Sequence, residues 1–171
     1  MAIMIREATL GDLEGLCRLY HAFHEFHVQG VPDRLISLGS YECYDRARLE
    51  RSLHEIMARD DAIIFVAEDS DRLVGLAEAY LREDNPTNAF RVSRKHIYLQ
   101  SLMVADDSRR LGVGRKLVEA VHACARERGA TEVQLETWEF PGGPQRFYEA
   151  MGYRTLRRTL VCDLVKSVDP R

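Results

Sequence analysis

The chain has 171 residues, which is enough for one domain with a hydrophobic core and too few for two ordinary domains. Hydrophobic residues make up 46% and charged residues 30%, a balance that excludes an intrinsically disordered chain. The formal net charge is −3, so no global positive field attracts a polyanion. We therefore expect neither a nucleic acid nor a membrane as a partner.

The cysteines show no CxxC pair and no spacing typical of a metal site. Cys17 and Cys124 lie on predicted apolar helix faces and are expected to be buried and reduced, which favours a cytoplasmic protein. The first seven residues lack the apolar run of a signal peptide, and no stretch reaches membrane-spanning length. The four cysteines are Cys17, Cys43, Cys124 and Cys162.

The first third of the chain predicts one strand and two helices. A short strand is expected at residues 3–6, and apolar side chains then repeat at helical spacing through residues 13–27. Glycines and a proline within residues 30–39 indicate an irregular connection. Asp45 is expected to begin a second amphipathic helix.

The middle of the chain predicts strands. The apolar runs 62–67 and 73–81 flank a polar turn at residues 69–72, which is typical of a β-hairpin. Residues 83–95 are polar and have no periodicity, so we expect a loop. Residues 96–104 are expected to form the next strand.

The last third begins with the clearest helix, residues 112–128. A strand is expected at 132–138, and the turn 141–144 opens a short helix that Gly152 ends. Residues 153–164 predict one or two further strands. The core face of the long helix is expected to carry Val113, Leu117, Val121, Cys124 and Ala125. Strands at both ends with intervening helices predict a mixed sheet covered by helices, and the absence of linkers or repeats predicts one domain over residues 1–171.

A predicted strand-to-helix junction has the features of an anion site. Gly112 and Gly114 let a ligand approach the backbone, and the first turn of a helix offers unpaired N–H groups. Each cation at this positive end of a helix costs about 0.3–1 kcal/mol, a penalty that a bound polyphosphate would reverse. The cations at the junction are Arg109, Arg110, Arg115 and Lys116. A solvated basic turn is the alternative, whereas the spacing fits neither GxxxxGK nor GxGxxG.

Three segments carry a resemblance to a known family. Residues 109–114 match the (Gln/Arg)-x-x-Gly-x-(Gly/Ala) signature of GNAT superfamily N-acetyltransferases, whose loop cradles the pyrophosphate of coenzyme A. Residues 98–104 look like the fourth strand of that family, in which a bulge splays the strand and its backbone pairs with the pantetheine arm. Residues 147–153 are similar to the family's FYEKLGF segment. The resemblance spans nearly the whole chain.

The resemblance implies an α/β (mixed α+β) GNAT-type single domain, with a central mixed, mostly antiparallel sheet and helices on both faces. It implies acetyl-CoA as co-substrate and no metal. Tyr148 would be the general acid that protonates the departing CoA thiolate, although Phe147 and Tyr148 could instead pack a short helix on the sheet. The implied cofactor-binding residues are Leu102, Met103, Val104, Arg109, Arg110, Leu111, Gly112, Val113, Gly114 and Arg115.

The general base has several candidates. Relatives often place a carboxylate on the fourth strand, where this chain has Tyr98 and Gln100. Glu78, inside an otherwise apolar strand, is expected to be catalytic or to face solvent, and His24 or His27 is the substitute. The histidines at positions 21, 24 and 27 lie three apart, whereas zinc helices favour i, i+4 spacing, so a pocket-lining role is expected.

The implied reaction is direct transfer of an acetyl group to the amine of a small molecule or peptide. Pro141 and Pro144 stand where many relatives have Asn and Ala, which removes possible hydrogen bonds to the cofactor. The alternatives are a non-catalytic CoA-binding or regulatory module on the same scaffold and a nucleotide-binding protein that uses the same loop. A homodimer is also allowed. The first helix and residues 30–39 are expected to bind the amine, with Glu25, Asp33 and Glu78 as candidate anions.

Overall fold

Five strands form one sheet in the order β1-β2-β3-β4-β5 in a computed structural model, which describes residues 3–43, 45–85, 87, 89–90, 92–162 and 164. The first four strands are antiparallel and β5 is parallel to β4. The predicted mixed, mostly antiparallel sheet is therefore confirmed. The strands are β1 (Met4–Glu7), β2 (Ala62–Asp69), β3 (Arg72–Glu83), β4 (Lys95–Val104) and β5 (Glu132–Gln134).

The described residues form four α-helices on the two faces of this sheet, as the sequence predicts. α3 packs on one face and α1 and α2 pack on the other, each against its own hydrophobic cluster. Their bounds are α1 (Leu13–Gly30), α2 (Arg46–Met57), α3 (Val113–Glu127) and α4 (Gln145–Ala150). The five residues predicted for the core face of α3 are all buried, because their spacing places them on one side of a 3.6-residue helix.

The position of the site follows from two irregularities in β4. Glu78 pairs with Ser101 and Ala79 pairs with Leu99, which leaves Gln100 as an extra residue and makes a β-bulge. β5 pairs with β4 only as far as Tyr98. The rest of β4, from Leu99 to Val104, therefore borders a gap, which we call the β4–β5 cleft.

Two of the predicted strands differ from those in the structure. The predicted strand 132–138 ends at Gln134, because the following residues leave the sheet and Phe140 packs on α1. The prediction of strands over residues 153–164 is wrong for the described residues, which contain no strand after Tyr153. Among the described residues, none of the five strands pairs with this segment, so its strand propensity is not used in the sheet.

An ion-pair cluster ties β1 to the start of α1. The guanidinium of Arg6 donates to Asp12 at 2.7 Å and to Glu68 at 2.6 Å. The hydrogen bond from Arg6 holds the pKa of Asp12 at about 2, below its ordinary value of 3.8. The Asp12 side chain is only 9% exposed, so solvent screens the pair weakly.

Replacing Asp12 by Asn is expected to lower the free energy of unfolding by up to about 2 kcal/mol at neutral pH. A carboxylate with a depressed pKa stabilises the fold above its unfolded pKa, and this contribution is lost as the pH falls through the folded pKa. The difference between wild type and Asp12→Asn should therefore shrink as the pH falls from about 4 towards 2. Urea denaturation of both proteins across this range measures it, and a difference that is independent of pH would contradict the assignment.

Candidate active site

The loop between β4 and α3 leaves backbone N–H groups free at the mouth of the β4–β5 cleft. Gly112 is the N-cap of α3 and no side chain caps the helix. In the described part of the chain, the N–H groups of Val113 and Gly114 have no acceptor. These donors and the positive end of the helix dipole suit a phosphate group.

The backbone of this loop is left-handed at two positions. Gly112 has φ of 81° and Arg110 has φ of 63°. A non-glycine residue in this conformation costs free energy and is often found where a binding loop requires it. Gly114 has a different role, because a Cβ there would lie 3.4 Å from the ring of Phe147. The glycines of the motif therefore serve both the turn and the packing of α4.

The cations of the loop point in different directions. Arg109 pairs with Asp106 at 2.8 Å, and its guanidinium lies 4.9 Å from the ring centroid of Phe26 on α1. Arg110 and Arg115 are exposed and form no ion pair with any residue that the structure describes. Arg110 and Arg115 are thus available to a ligand, whereas Arg109 must exchange its present contacts.

The residues predicted from β4 line the cleft. Leu102 and Val104 pack on the α3 side of the sheet, and Met103 is buried on the α1 side. Their backbone pairs with β3 on one edge, whereas the other edge has passed the end of β5. Backbone groups on this edge are therefore placed to bond an extended ligand.

Tyr148 lies on α4 with an unpaired hydroxyl. Its ring packs against Phe147 at 5.3 Å and Tyr153 at 5.6 Å between centroids. None of the described residues hydrogen-bonds to its hydroxyl. Burial raises the pKa of Tyr148, so the phenol keeps its proton at neutral and alkaline pH. The Phe147 ring lies against Gly114, which brings α4 and Tyr148 beside the turn at Gly112.

Tyr153 differs from Tyr148 although the two rings are in contact. The Tyr153 hydroxyl shares a hydrogen bond of 2.9 Å with Nε2 of His122 on α3. Burial raises the pKa of Tyr153 to about 12 and lowers that of His122. Tyr153 therefore has a structural partner that Tyr148 lacks.

Glu78 is 4% exposed and faces α1 from β3, so the solvent-facing alternative is wrong. Three hydroxyl groups donate to its carboxylate: Tyr20 at 2.7 Å, Ser101 at 3.1 Å and Tyr80 at a short distance. Burial and the neighbouring carboxylate raise the pKa of Tyr20 and of Tyr80, so both remain donors. Ser101 directly follows the bulge residue Gln100, so the carboxylate is anchored beside the cleft.

The three hydroxyl partners of Glu78 were not found from the sequence. Tyr20 fits the apolar face of α1, and Ser101 belongs to a strand whose register only the structure shows. The sequence could have indicated Tyr80 as a partner of Glu78. It lies two residues after Glu78, and residues two apart share one face of a strand.

Aromatic side chains join α1 to the loop after β5. Phe140 packs edge-on against Phe26, with 5.6 Å between centroids, and lies near His27. A Cβ at Gly30 would lie 2.6 Å from the Phe140 ring, so only glycine allows this approach. The C-terminal end of α1 thus forms a wall that faces both the loop after β5 and Arg109.

The two prolines shape the loop after β5. Gly143 donates its N–H to the Phe140 carbonyl at 2.9 Å, which closes a turn over Pro141. Pro144 is the N-cap of α4, and its carbonyl accepts from the N–H groups of Phe147 and Tyr148. Pro144 therefore orients the helix that carries Tyr148.

The histidines of α1 hold the connection between α1 and α2. The carbonyl oxygens of Gly39 and Ile36 accept hydrogen bonds from His21 and His24, at 2.9 and 2.8 Å. The ring of His27 bonds the Phe23 carbonyl at 2.8 Å. Each of the substitute bases is thus engaged with backbone, and no group of three metal-ligating side chains occurs among the described residues.

The acidic side chains predicted to bind the amine substrate have other partners, which lie apart from one another. Glu25 accepts from the Leu38 N–H at 2.6 Å and from the Ser37 hydroxyl, and Asp33 pairs with its neighbour Arg34 at 3.1 Å. A cavity of about 670 Å³ lies along α1 and borders Arg109, but its lining is mixed in charge.

Over the described residues, no helix has the length and apolar character needed to cross a bilayer.

Comparison with known proteins decides the family. The model of the acetyltransferase (GNAT) family matches residues 17–153. The chain belongs to this family. The match includes the loop at Gly112, Glu78 and Tyr148, so every residue discussed above from β2 to α4 lies within it.

Curated relatives in this family are N-acetyltransferases. Human N-acetyltransferase 8 is 28% identical over 120 residues, which cover 70% of this chain and 49% of that protein. The probable N-acetyltransferase camello of Xenopus tropicalis is 30% identical over 146 residues, covering 85% of this chain and 58% of that protein. The chain thus spans about half the length of the curated relatives it matches.

Solved structures confirm the GNAT fold. A tetramutant of the BH1408 protein of Bacillus halodurans superposes with a TM-score of 0.82 at 23% identity, covering 94% of this chain and 99% of the other. The aminoglycoside N-acetyltransferase AAC(6')-Iy, solved in complex with the bisubstrate analogue CoA-S-monomethyl-acetylneamine, gives a TM-score of 0.70 at 22% identity. That match covers 97% of this chain and all of the other.

Proposed function

We propose that this chain transfers an acetyl group from acetyl-CoA to the amine of a small molecule or peptide. The observation that carries the proposal is that backbone donors and a phenol, which have no hydrogen-bond partner among the described residues, lie on two neighbouring helices. The uncapped first turn of α3 offers N–H donors, and α4 packs on that turn with the free hydroxyl of Tyr148. Acyl transfer from a CoA thioester needs a site for the pyrophosphate and, at the other end of the pantetheine arm, a proton donor for the sulfur, and these two groups supply both.

The cofactor would extend from the loop into the β4–β5 cleft. Val113 and Gly114 would donate their N–H groups to the pyrophosphate, and Arg110 and Arg115 would add positive charge. The turn at Leu111 and Gly112 keeps the backbone open to the ligand, since a Cβ at Gly112 would meet no atom. The pantetheine arm would bond the free backbone edge of Leu102, Met103 and Val104.

The chemical step needs one acid and one base. The neutral amine attacks the carbonyl carbon of the thioester, an N–C bond forms, and the C–S bond breaks. Tyr148 gives its proton to the departing thiolate, and the extra proton on the attacking nitrogen leaves towards Glu78, which yields the neutral amide; a proton from solvent then restores Tyr148. Because Glu78 is buried, that proton would pass through one of the hydroxyls that bond it or through water.

The burial of Glu78 and its three hydroxyl donors support its role as the proton acceptor. A buried carboxyl group with three hydroxyl donors is an expensive arrangement unless the charge is used or fully satisfied. Its position beside the bulge at Gln100 supports a role in transfer. His24 and His27 are the weaker candidates because backbone carbonyls already engage their rings.

The activity is tested by incubating the purified protein with acetyl-CoA and a panel of polyamines, amino acids, peptides and aminoglycosides. Release of free CoA thiol that depends on the amine is the expected result. CoA binding without any turnover would favour a non-catalytic regulatory module. Equal competition by ATP and CoA for the loop would instead favour a nucleotide-binding protein.

Arg109→Ala is expected to weaken CoA binding roughly 2- to 5-fold, because one cation near the start of a helix contributes about 0.3–1 kcal/mol. Wild-type binding should also weaken with added salt, which screens the attraction. Titration calorimetry at two salt concentrations measures both effects. Arg51→Ala, which alters an exposed arginine of α2, is the matched control. Equal affinity of the wild type for CoA and for phosphate-free pantetheine would contradict the phosphate site.

The cellular compartment and the oligomeric state of the protein belong to the same proposal. Cys17 and Cys124 are buried free thiols, which supports a reducing compartment such as the cytoplasm. Cys43 lacks a described side chain. We also propose a homodimer, which the exposed apolar side chains of Leu156, Leu160, Val161 and Leu164 support.

A further inference from the structure

The two carboxylate oxygens of Glu78 have different sets of donors. Oε2 accepts from the Tyr20 hydroxyl at 2.7 Å and from the Ser101 hydroxyl at 3.1 Å. Among the described residues, Oε1 accepts only from the Tyr80 hydroxyl. Each hydrogen bond that a carboxylate oxygen accepts stabilises its charged form, so Oε2 has the lower affinity for a proton. A proton that reaches Glu78 is therefore expected to arrive at Oε1.

Tyr80 is the donor that lies outside the packed core. Tyr20 and Tyr80 are both partly buried, but Tyr20 packs in the cluster between α1 and the sheet, whereas Tyr80 belongs to neither cluster. Ser101 is only 6% exposed. The guanidinium groups of Arg59 and Arg82 lie 5.3 and 6.0 Å from the centroid of the Tyr80 ring, and both side chains are exposed. A substrate can therefore reach Tyr80 without entering the core.

The register of the sheet places Tyr80 beside the start of the β4–β5 cleft. Tyr80 pairs with Tyr98, which is the last residue of β4 that pairs with β5, and the bulge at Gln100 follows two residues later. Residues two apart share a face of a strand, so Tyr80 and Glu78 both lie on the α1 side of the sheet. An amine that enters the cleft from this side meets the Tyr80 hydroxyl before the buried carboxylate.

The phenol of Tyr80 keeps its proton at neutral pH. Burial and the hydrogen bond to Glu78 raise the pKa of Tyr80, an effect that the charge of Arg59 partly offsets. The hydroxyl oxygen can then take up a proton only while it gives its own hydrogen to Oε1. A neutral phenol that is hydrogen-bonded to a carboxylate is thus suited to passing a proton on.

We propose that Tyr80 is a catalytic residue that relays the proton of the acceptor amine to Oε1 of Glu78. The phenol oxygen takes the extra proton of the attacking nitrogen as its own O–H bond breaks and a new O–H bond forms at Oε1. Tyr80 ends as a neutral phenol, Glu78 as a carboxylic acid and the nitrogen as the neutral amide. The Glu78 proton then returns to water through the same hydroxyl. This inference rests on the proposed acetyl transfer and adds the path of its proton.

The test compares Tyr80→Phe with Tyr20→Phe, each of which removes one hydroxyl that bonds Glu78. Tyr80→Phe is expected to lower turnover roughly 10- to 30-fold with CoA affinity kept, because water replaces the relay only in part. Tyr20→Phe should lower turnover less than about 3-fold, since that hydroxyl anchors the other oxygen of the carboxylate. Both variants keep the ring and lose one hydrogen bond, so urea denaturation should show similar losses of stability.

A double variant tests whether Tyr80 acts through Glu78. In the Glu78→Gln background no carboxylate receives the proton, so adding Tyr80→Phe should lower turnover by less than about 2-fold further. If Tyr80 only packed beside the site, the two losses would multiply. Steady-state kinetics of the two single variants and the double variant, with the same amine, measure this.

Three results obtained with an active wild type would overturn the relay and leave acetyl transfer standing. Equal losses in Tyr80→Phe and Tyr20→Phe would show that Glu78 only needs its anchors. Full turnover of Tyr80→Phe would show that the proton takes another route, and losses that multiply in the double variant would separate Tyr80 from Glu78. A wild type that releases no thiol in response to any amine would instead overturn acetyl transfer and the relay together.

Discussion

Tyr148→Phe is expected to lower turnover roughly 100-fold or more while CoA affinity stays nearly unchanged. The phenol donates its proton only as the C–S bond breaks, so its loss raises the barrier without weakening ground-state binding. Thermal stability should also be unchanged, because the Tyr148 hydroxyl has no hydrogen-bond partner in the described structure and the ring is kept. Steady-state kinetics, calorimetry and thermal unfolding measure the three quantities.

The neighbouring Tyr153 provides the matched control for this experiment. Tyr153→Phe removes a hydroxyl that shares a hydrogen bond with His122, so it should cost about 1 kcal/mol of stability and leave turnover intact. The two substitutions thus predict opposite patterns in tyrosines whose rings touch. Full activity of Tyr148→Phe with the best substrate would rule out Tyr148 as the acid.

Glu78→Gln is expected to lower turnover roughly 100-fold, because an amide cannot accept the amine proton. The side chain keeps its size, but three hydroxyls would lose the carboxyl oxygens that accept their hydrogen bonds, so a stability loss of about 1–3 kcal/mol should accompany it. Steady-state kinetics and urea denaturation measure the two effects.

The control for Glu78 is the same substitution on the same strand. Glu83 ends β3 and is exposed, so Glu83→Gln should change neither turnover nor stability. If Glu78→Gln lowers stability but keeps full turnover, the carboxylate only anchors its hydroxyl partners. The route of the amine proton would then be sought at His24 or His27.

The parts of the fold that local pattern determines could be predicted from sequence. The long helix α3 follows from its apolar period and from the glycines at positions 112 and 129, which lie at its two ends. The end of β5 could not be predicted, because residues 135–138 have good strand propensity. The contact of Phe140 with Gly30, more than a hundred residues away in sequence, draws this part of the chain off the sheet.

The candidate site also contains parts that the sequence could predict and parts that it could not. The turn at Gly112 has a local signature of glycines and charges, so the sequence could locate it. The hydroxyl cage around Glu78 has none, since Tyr20 comes from a helix and Ser101 from a strand whose bulge sets the register. The direction of Arg109 towards Phe26 likewise depends on how α1 crosses the sheet.

The contact between Gly30 and Phe140 restricts how this protein can diversify. Any side chain larger than hydrogen at position 30 would enter the ring of Phe140, because a Cβ there already lies 2.6 Å away. Alanine at position 30 would therefore displace the Phe140 ring, and a smaller residue at position 140 would remove this conflict. Gly30 belongs to the wall that faces Arg109, and Phe140 packs on that wall. New acceptor preferences should therefore arise through paired rather than single replacements there, and libraries that vary the two codons jointly should recover active clones that single-site libraries miss.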